Sequence, residues 1–340
     1  MVTSFSDKIM KTAFLTESHF QGKVPLNHPN MRTEMAWQAT LQSDHFNLFQ
    51  YDHVKDYDVV FIIFPKALVK LNMVGIEMEY TNSQRDIDNI KIYSLPVVET
   101  LKKYNKKVCY IQEGPTNVFN DYDLLTQFNF YNQLSECDII LAHNEYDTHF
   151  YKGLFPQSKV AVIPSLMFPI DIFPIKEDKA IINGNFAAWY NGFQSYIVAS
   201  EFGCPIFAPS SHCKRKGEEQ VPNLKHIPWI MWNDWMKELS TFKYSVSMMP
   251  TVAAGTWSMN CGYFEIPCIG NEKVDTQRLL FPELSVDTGD VHQARFLAMQ
   301  LKTDKDFYEH CGHYAKKKLI ESFHLNLGKW LQHMKGVLNE

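Results

Sequence analysis

The amino-acid sequence predicts an α/β protein made of two parallel-sheet halves facing each other across a cleft. Three observations carry that expectation. From Lys11 onward, short β-branched or aromatic apolar runs alternate with longer stretches of helical period, as βα units require. The alternation breaks off in a proline-rich run after Pro164 and restarts near residue 179. At about 150 residues per domain, a chain of 340 residues is long enough for two cores.

In the first half, strands are expected at Thr12–Thr16, Phe46–Gln50, Asp58–Phe64, Lys107–Gln112, Asp138–Ala142 and Lys159–Pro164. Helices are expected between them, at about Met31–Gln42, Pro96–Tyr104, Asp121–Ser135 and Glu145–Leu154. The stretch 67–92, with the turn chemistry NSQRDIDN, reads as an insertion, and the polar residues 1–9, which precede a second Met, read as an extension outside the fold. The run SLMFPIDIFPIKED has no helical period and is the expected linker, 165–178, between a first domain at 10–164 and a second at 179–324.

The second half repeats the pattern. Strands are expected at Ala180–Ile182, Pro205–Ala208, Leu224–Ile227, Tyr244–Met249 and Pro267–Gly270, with helices at Gln194–Phe202, Asn233–Leu239 and Thr256–Phe264. From Asp304 to the end the chain reads as two helices broken near His324–Leu327. Two Rossmann-like halves joined by a Pro-rich hinge leave a cleft in which the carboxyl ends of both sheets face a ligand.

Composition narrows the function classes. The formal charge of −5 is not the balance of a packaging protein for nucleic acid, although it leaves room for a local basic patch. Aromatic residues make up 14% of the chain, a stock mostly committed to cores but able to supply a stacking ring. Seven scattered cysteines without a CxxC pair, several inside apolar runs such as KVCYI and IPCIG, point to a reducing compartment, hence the cytoplasm. The N-terminus lacks a continuous apolar segment and a small-residue cleavage site, and the longest apolar runs are strand-sized, so neither a signal peptide nor a membrane span is expected. The 13 histidines show no paired metal-ligand spacing and no DxD-type pair ends a strand, so no metal is expected.

The segment AGTWSMNCGYFEIPCIGN at 254–271 is the most informative. Gly255 stands where a strand turns into a helix, so the backbone N–H groups of Thr256, Trp257 and Ser258 are unpaired and suit an anion such as a diphosphate. The same residues also suit an ordinary turn capped by Thr256. The turn NGNFAAWYNGF at 183–193 opens the second half with Gly184 and Asn185. In the first half, the loop TESHFQGKVPLNHPNMRTE brings Glu17, His19, Phe20, Gln21, Gly22, Lys23 and Arg32 to the cleft side. His19 and Glu17 are candidate bases for an acceptor hydroxyl, and Lys23 and Arg32 suit an acceptor phosphate. Two further strand ends add Glu113, a third candidate base, and His143, a candidate support; either also suits a plain helix cap.

The order Gly255, helix, then Pro267 twelve residues later in the strand IPCIG resembles the donor site of the GT-B glycosyltransferases, whose pattern is roughly E-x-F-G, a helix carrying Glu, then G-x-P-V-I. The resemblance extends over most of residues 11–340. It implies that the second half binds a nucleotide sugar, uridine-based, as cosubstrate without a further cofactor. It also implies that the last helix, about 325–340, crosses back to the first half. The family's paired glutamates are replaced by Val252 and Asn260, with Asn260 and Glu265 as possible substitutes. Asn185 and Asn191 stand where basic diphosphate ligands are usual, leaving Lys214, Arg215, Lys216 or Arg278 to neutralise that charge.

The opening TESHFQGKVP…NMRTE also resembles glycosyltransferases of T-even-like phages, which implies hydroxymethylcytosine in double-stranded DNA as acceptor. Such an acceptor needs a basic strip, for which Lys23, Arg32, Lys66, Lys70 and Arg85 are available, and a stacking ring, for which Phe20 or Trp37 is available. A glycan or protein acceptor, a nucleotide-sugar epimerase or hydrolase, and a non-catalytic binding protein share the same donor-side features.

Overall fold

A computed structural model describes residues 10–18, 21–65, 76–78, 92–104, 106–116, 123–186, 190–209 and 213–339. The first half runs β1 (Thr12–Thr16), β2 (Gly22–Lys23), α1 (Thr33–Leu41), β3 (Asp44–Asn47), β4 (Val59–Ile62), β5 (Ile76–Met78), α2 (Val97–Lys103), β6 (Lys107–Ile111), α3 (Leu124–Ser135), β7 (Ile139–Ala142), α4 (Glu145–Leu154) and β8 (Lys159–Val162). Seven of these strands form one sheet in the order β2-β3-β1-β4-β6-β7-β8, parallel throughout except for the β2–β3 pair. β1, β4 and β7 are buried at every position, as strands covered on both faces must be, and this is why they read in sequence as apolar runs without polar alternation, ended in β1 by Thr12 and Thr16.

The second half runs β9 (Glu177–Ile182), α5 (Gly192–Ala199), β10 (Ile206–Pro209), β11 (Cys213–Arg215), β12 (Leu224–Ile227), α6 (Trp232–Leu239), β13 (Phe242–Ser247), α7 (Thr256–Tyr263), β14 (Cys268–Asn271), α8 (Asp275–Leu280), β15 (Ser285–Val286), α9 (Val291–Thr303), α10 (Lys305–Glu321) and α11 (Leu327–Asn339). Its sheet is wholly parallel, in the order β12-β10-β9-β13-β14-β15. The chain is therefore α/β with two parallel sheets, as expected.

One strand is displaced from its expected span. In place of Phe46–Gln50, β3 is Asp44–Asn47, and a 3-10 helix over Leu48–His53 follows it. Asn47 turns the chain there: its side chain accepts from the Phe49 N–H at 3.0 Å while Gln50 Oε1 accepts from the Asn47 N–H at 3.0 Å, a reciprocal cap. The expected insertion at 67–92 and the extension at 1–9 lie largely or wholly outside the described residues.

The last helix, α11, returns to the first sheet. Its C-terminal carbonyls, those of Val337 and Leu338, accept from Lys159 Nζ (2.6 Å) and Lys107 Nζ, so two lysines on β8 and β6 satisfy the groups a helix end leaves unpaired. The Pro164 carbonyl, where the chain leaves the first half, accepts from two buried indoles, Trp37 Nε1 at 3.0 Å and Trp330 Nε1 at 3.4 Å. Trp37 is thereby part of the core and is not available as a stacking ring. The two crossings between halves are tied together as well: His324 Nδ1 donates to the Ser165 carbonyl at 2.7 Å, and the Met167 N–H donates to the His324 carbonyl at 2.9 Å.

Candidate active site

The carboxyl ends of both sheets point into the space between the halves, and three sets of contacts span it. At one side Arg32 donates to the Ile230 carbonyl at 3.0 Å, and the Asn233 N–H donates to the Pro29 carbonyl at 3.2 Å. In another, β5 of the first half pairs antiparallel with β11 of the second, Ile76 opposite Arg215. At the third, Ser165 Oγ donates to the Ala254 carbonyl at 2.9 Å and the Glu145 N–H donates to Asp275 Oδ2 at 2.8 Å. The last set holds the loop that leads into α7.

Gly255 caps α7 with φ +75°, a left-handed conformation that favours glycine. A Cβ there would stand 1.9 Å from Thr276 Oγ1, which instead donates to the Gly255 carbonyl at 2.8 Å. Behind this turn the side chains are committed inward. Trp257 Nε1 donates to Ser245 Oγ at 2.9 Å, its ring lies 5.7 Å from that of Trp235, and Ser258 Oγ donates to Gln277 Oε1 at 2.7 Å. What α7 offers the cleft is therefore its backbone: the N–H groups of Thr256, Trp257 and Ser258, which an α-helix cannot pair internally, and the positive end of its dipole. Thr256 Oγ1 lies 3.4 Å from Ser165 Oγ, the first residue of the linker.

On the same helix Asn260 is 5% exposed, and its Oδ1 has no hydrogen-bond partner among the described residues. Glu265, the other candidate substitute for the usual glutamate, lies past the C-terminal end of α7, paired with His313 and Lys316 at 3.1 Å each. It is thus at the opposite end of the helix from the Gly255 turn. The second donor loop is closely packed: Gly184 has φ +83° with the Tyr190 ring 2.4 Å from where a Cβ would be, and a Cβ at Gly192 would meet the carbonyl oxygen of the buried Asn185 at 2.2 Å. Asn191 caps α5 and donates to the Met248 carbonyl at 3.2 Å, so it joins this loop to the end of β13. Arg278 pairs with Asp275 at 2.7 Å on α8, beside the α7 turn.

In the first half, His19, Phe20, Lys66, Lys70 and Arg85 lie outside the described residues. Glu17 is half-buried in the loop after β1, where the Glu17 and Ser18 carbonyls accept from Asn47 Nδ2, each at 3.2 Å. Gln21 and Lys23 are exposed, and Gly22, at φ +96°, has open space around it. Glu113 is half-buried at the end of β6, and His143, at the end of β7, is buried with its ring 6.2 Å from Trp37. Arg32 is not a free phosphate ligand: it spans the halves, its guanidinium 6.0 Å from the Trp229 ring centre. Burial lowers its pKa, an effect that Glu34 partly offsets.

A buried polar cluster that no local motif announces supports this edge. Asp147 accepts from Gln112 Nε2 at 2.7 Å and from Asn144 Nδ2 at 3.0 Å, and Gln112 Oε1 accepts from the His143 N–H at 3.1 Å. Burial outweighs these two bonds and pushes the Asp147 carboxyl up to about 6, with Asp275 adding in the same direction. A carboxyl raised above its free value of 3.8 binds its proton more tightly in the folded state, so its stabilising contribution is full below about pH 4. That contribution is lost as pH rises through about 6, up to about 3 kcal/mol for a shift of this size. Melting temperatures between pH 4 and pH 7 are expected to fall more steeply for the wild type than for Asp147→Asn, and parallel curves would count against this origin of the shift.

Among the described residues no group of three or more His, Cys, Asp or Glu side chains is placed to hold a metal ion, and no helix is long and apolar enough to cross a membrane. No family model matches the sequence, and comparison with curated proteins gives no match. Solved structures do match. An α-glucosyltransferase in complex with UDP and a 13-mer DNA containing an HMU base superimposes with a TM-score of 0.61 at 11% identity, covering 97% of this chain and 100% of that one. The fold is GT-B. Other GT-B chains agree: Anabaena HepE in complex with UDP and glucose has a TM-score of 0.63 at 8% identity, over 97% of this chain and 99% of that one. Sucrose-phosphate synthase from Thermosynechococcus elongatus has a TM-score of 0.63 at 10% identity, over 96% and 98%. In this GT-B chain the α7 turn lies against the end of β7, where Asn144 Nδ2, one residue after His143, donates to the Ala253 carbonyl at 3.4 Å.

Proposed function

We propose that this chain is a glycosyltransferase that moves a sugar from a UDP-sugar to an acceptor hydroxyl, and that the acceptor is a hydroxymethylated base in double-stranded DNA. The observation that carries the donor half is the Gly255 turn: three helix N–H groups aimed across the cleft, behind a position where a Cβ does not fit. The neighbours that hold UDP on the same fold support the same donor. The proposed chemistry is displacement at the anomeric carbon. The acceptor oxygen forms the new bond, the sugar–phosphate bond breaks, and UDP leaves with its growing charge held by Thr256, Trp257 and Ser258.

Asn260 Oδ1 is assigned to a donor hydroxyl, and the Gly184–Asn185 turn to the rest of the donor. Arg278, which would exchange Asp275 for phosphate, is assigned to the diphosphate. Glu17, His19 and Glu113 are the proposed acceptors for the hydroxyl proton, with Phe20, Gln21, Gly22, Lys23 and His143 on the acceptor side. The donor is the only cosubstrate this scheme requires, and the cytoplasm, where DNA and UDP-sugars meet, is the proposed setting.

The DNA acceptor is supported by the neighbour solved with modified DNA and by the likeness of the opening loop to phage enzymes. A small-sugar acceptor is the second reading, favoured by sucrose-phosphate synthase matching with a TM-score as high. Mass spectrometry of duplex DNA containing hydroxymethylcytosine, incubated with the protein and a panel of UDP-sugars, separates them. A mass gain of one sugar per modified base is the expected result. No gain on DNA, with transfer to a free sugar phosphate, would overturn the DNA acceptor and leave the donor assignment intact.

A further inference from the structure

Trp229 is 46% exposed, whereas Trp37, Trp232, Trp235 and Trp330 are buried. It lies just past the carboxyl end of β12, the edge strand of the donor sheet, and therefore on the cleft side. The Arg32 guanidinium stands 6.0 Å from its ring centre, held there by the bond to the Ile230 carbonyl. A cation over one face of an indole is drawn to its π-cloud and steadies the ring, so a stacked base would take the opposite face.

The turn after β11 supplies more positive charge. Arg215 and Lys216 are exposed where β11 ends and turns, and one buried carboxylate anchors that turn. Glu218 Oε2 accepts from the Arg215 N–H at 2.8 Å, and Glu218 Oε1 lies 2.9 Å from His226 Nε2, three residues before Trp229. The basic turn is thereby tied to the strand that leads to the ring, and β11 is itself paired with β5 of the first half. Arg32 and Trp229, where the halves meet, and Arg215 and Lys216, on the turn that Glu218 ties to β12, are the four residues of this rim.

Resting on the DNA reading above, we infer that this rim is the binding surface for an acceptor strand, with Trp229 stacking on an unpaired base and Arg215 and Lys216 holding the phosphodiester backbone. A sugar or a peptide would use the ring but not the row of cations. A fully paired duplex presents phosphates but no free base face, so the ring selects a nucleotide that is single-stranded or turned out of the helix. Arg215 and Lys216 then serve the acceptor, and the donor diphosphate is left to α7 and Arg278.

The test is binding of the full-length protein to a fluorescent single-stranded oligonucleotide with a central hydroxymethylcytosine, read by polarisation across a salt series, with UDP binding measured in parallel. Trp229→Ala is expected to weaken oligonucleotide binding by about tenfold, with Trp229→Phe restoring most of it and UDP binding unchanged in both. The Arg215→Ala, Lys216→Ala double variant is expected to reduce the slope of log affinity against log salt by about 1.4 for a single strand. Wild-type affinity in Trp229→Ala would overturn the inference, as would a loss of UDP binding in step with that of the oligonucleotide. A wild-type protein that glycosylates duplex DNA yet does not bind the single strand would overturn the rim while leaving the DNA reading standing. Absence of transfer to DNA overturns that reading itself.

Discussion

Replacing Gly255 with alanine is expected to lower kcat/KM at least about 100-fold while leaving the helical content of the protein intact. Two effects combine at this position. The left-handed backbone, at φ +75°, costs a residue with a Cβ about 1–2 kcal/mol. The new methyl would also stand 1.9 Å from Thr276 Oγ1, so that side chain must swing away and give up its 2.8 Å bond to the Gly255 carbonyl. The start of α7 then shifts, and with it the three N–H groups proposed to hold the leaving diphosphate. Steady-state kinetics with a UDP-sugar, alongside circular dichroism, checks this. A variant with wild-type kcat/KM would remove α7 from the donor site.

The second large effect is on stability. Trp330→Ala is expected to cost about 3–5 kcal/mol, read as a lower denaturation midpoint. Trp330 is 0% exposed on α11, and its indole N–H shares the Pro164 carbonyl with Trp37 at the point where the chain leaves the first half. Truncation leaves a cavity beside that crossing and loosens the helix that ties the end of the chain back to the first sheet. Phe296→Ala, at a ring 58% exposed on α9, is expected to change the midpoint little and serves as the control. Equal effects of the two substitutions would contradict the packing described here.

The fold is largely legible in the sequence because strands such as β1, β4 and β7 are buried at every position. TAFLT, VVFI and IILA have no polar alternation to confuse with a surface strand, and Asn144 marks the start of α4 as a cap whose side chain accepts from the Asp147 N–H. The Gly255 turn is legible for a similar reason, since a glycine between an apolar strand and a helix signals a backbone that a side chain would block. The pieces that escape depend on partners far along the chain. The β5–β11 ribbon sets Met78 opposite Cys213, Glu77 opposite Lys214 and Ile76 opposite Arg215, a register between distant segments that neither segment signals by itself.

Three site features are illegible for the same reason. Arg32 reads as a free phosphate ligand because its tie to the Ile230 carbonyl joins residues 198 apart. Glu265 reads as a substitute carboxylate because nothing local announces its pairing with His313 and Lys316 on α10. Trp229 does not stand out among the aromatic residues, since only the folded chain separates an exposed ring at the cleft from the indoles packed in cores.

The most direct test of the donor site is a structure of the protein with UDP bound. A phosphate oxygen of the diphosphate is expected within about 3 Å of the backbone nitrogens of Thr256, Trp257 or Ser258, with Gly255 still in its left-handed conformation. A diphosphate seated elsewhere in the cleft, with those N–H groups facing only water, would contradict the role assigned to α7.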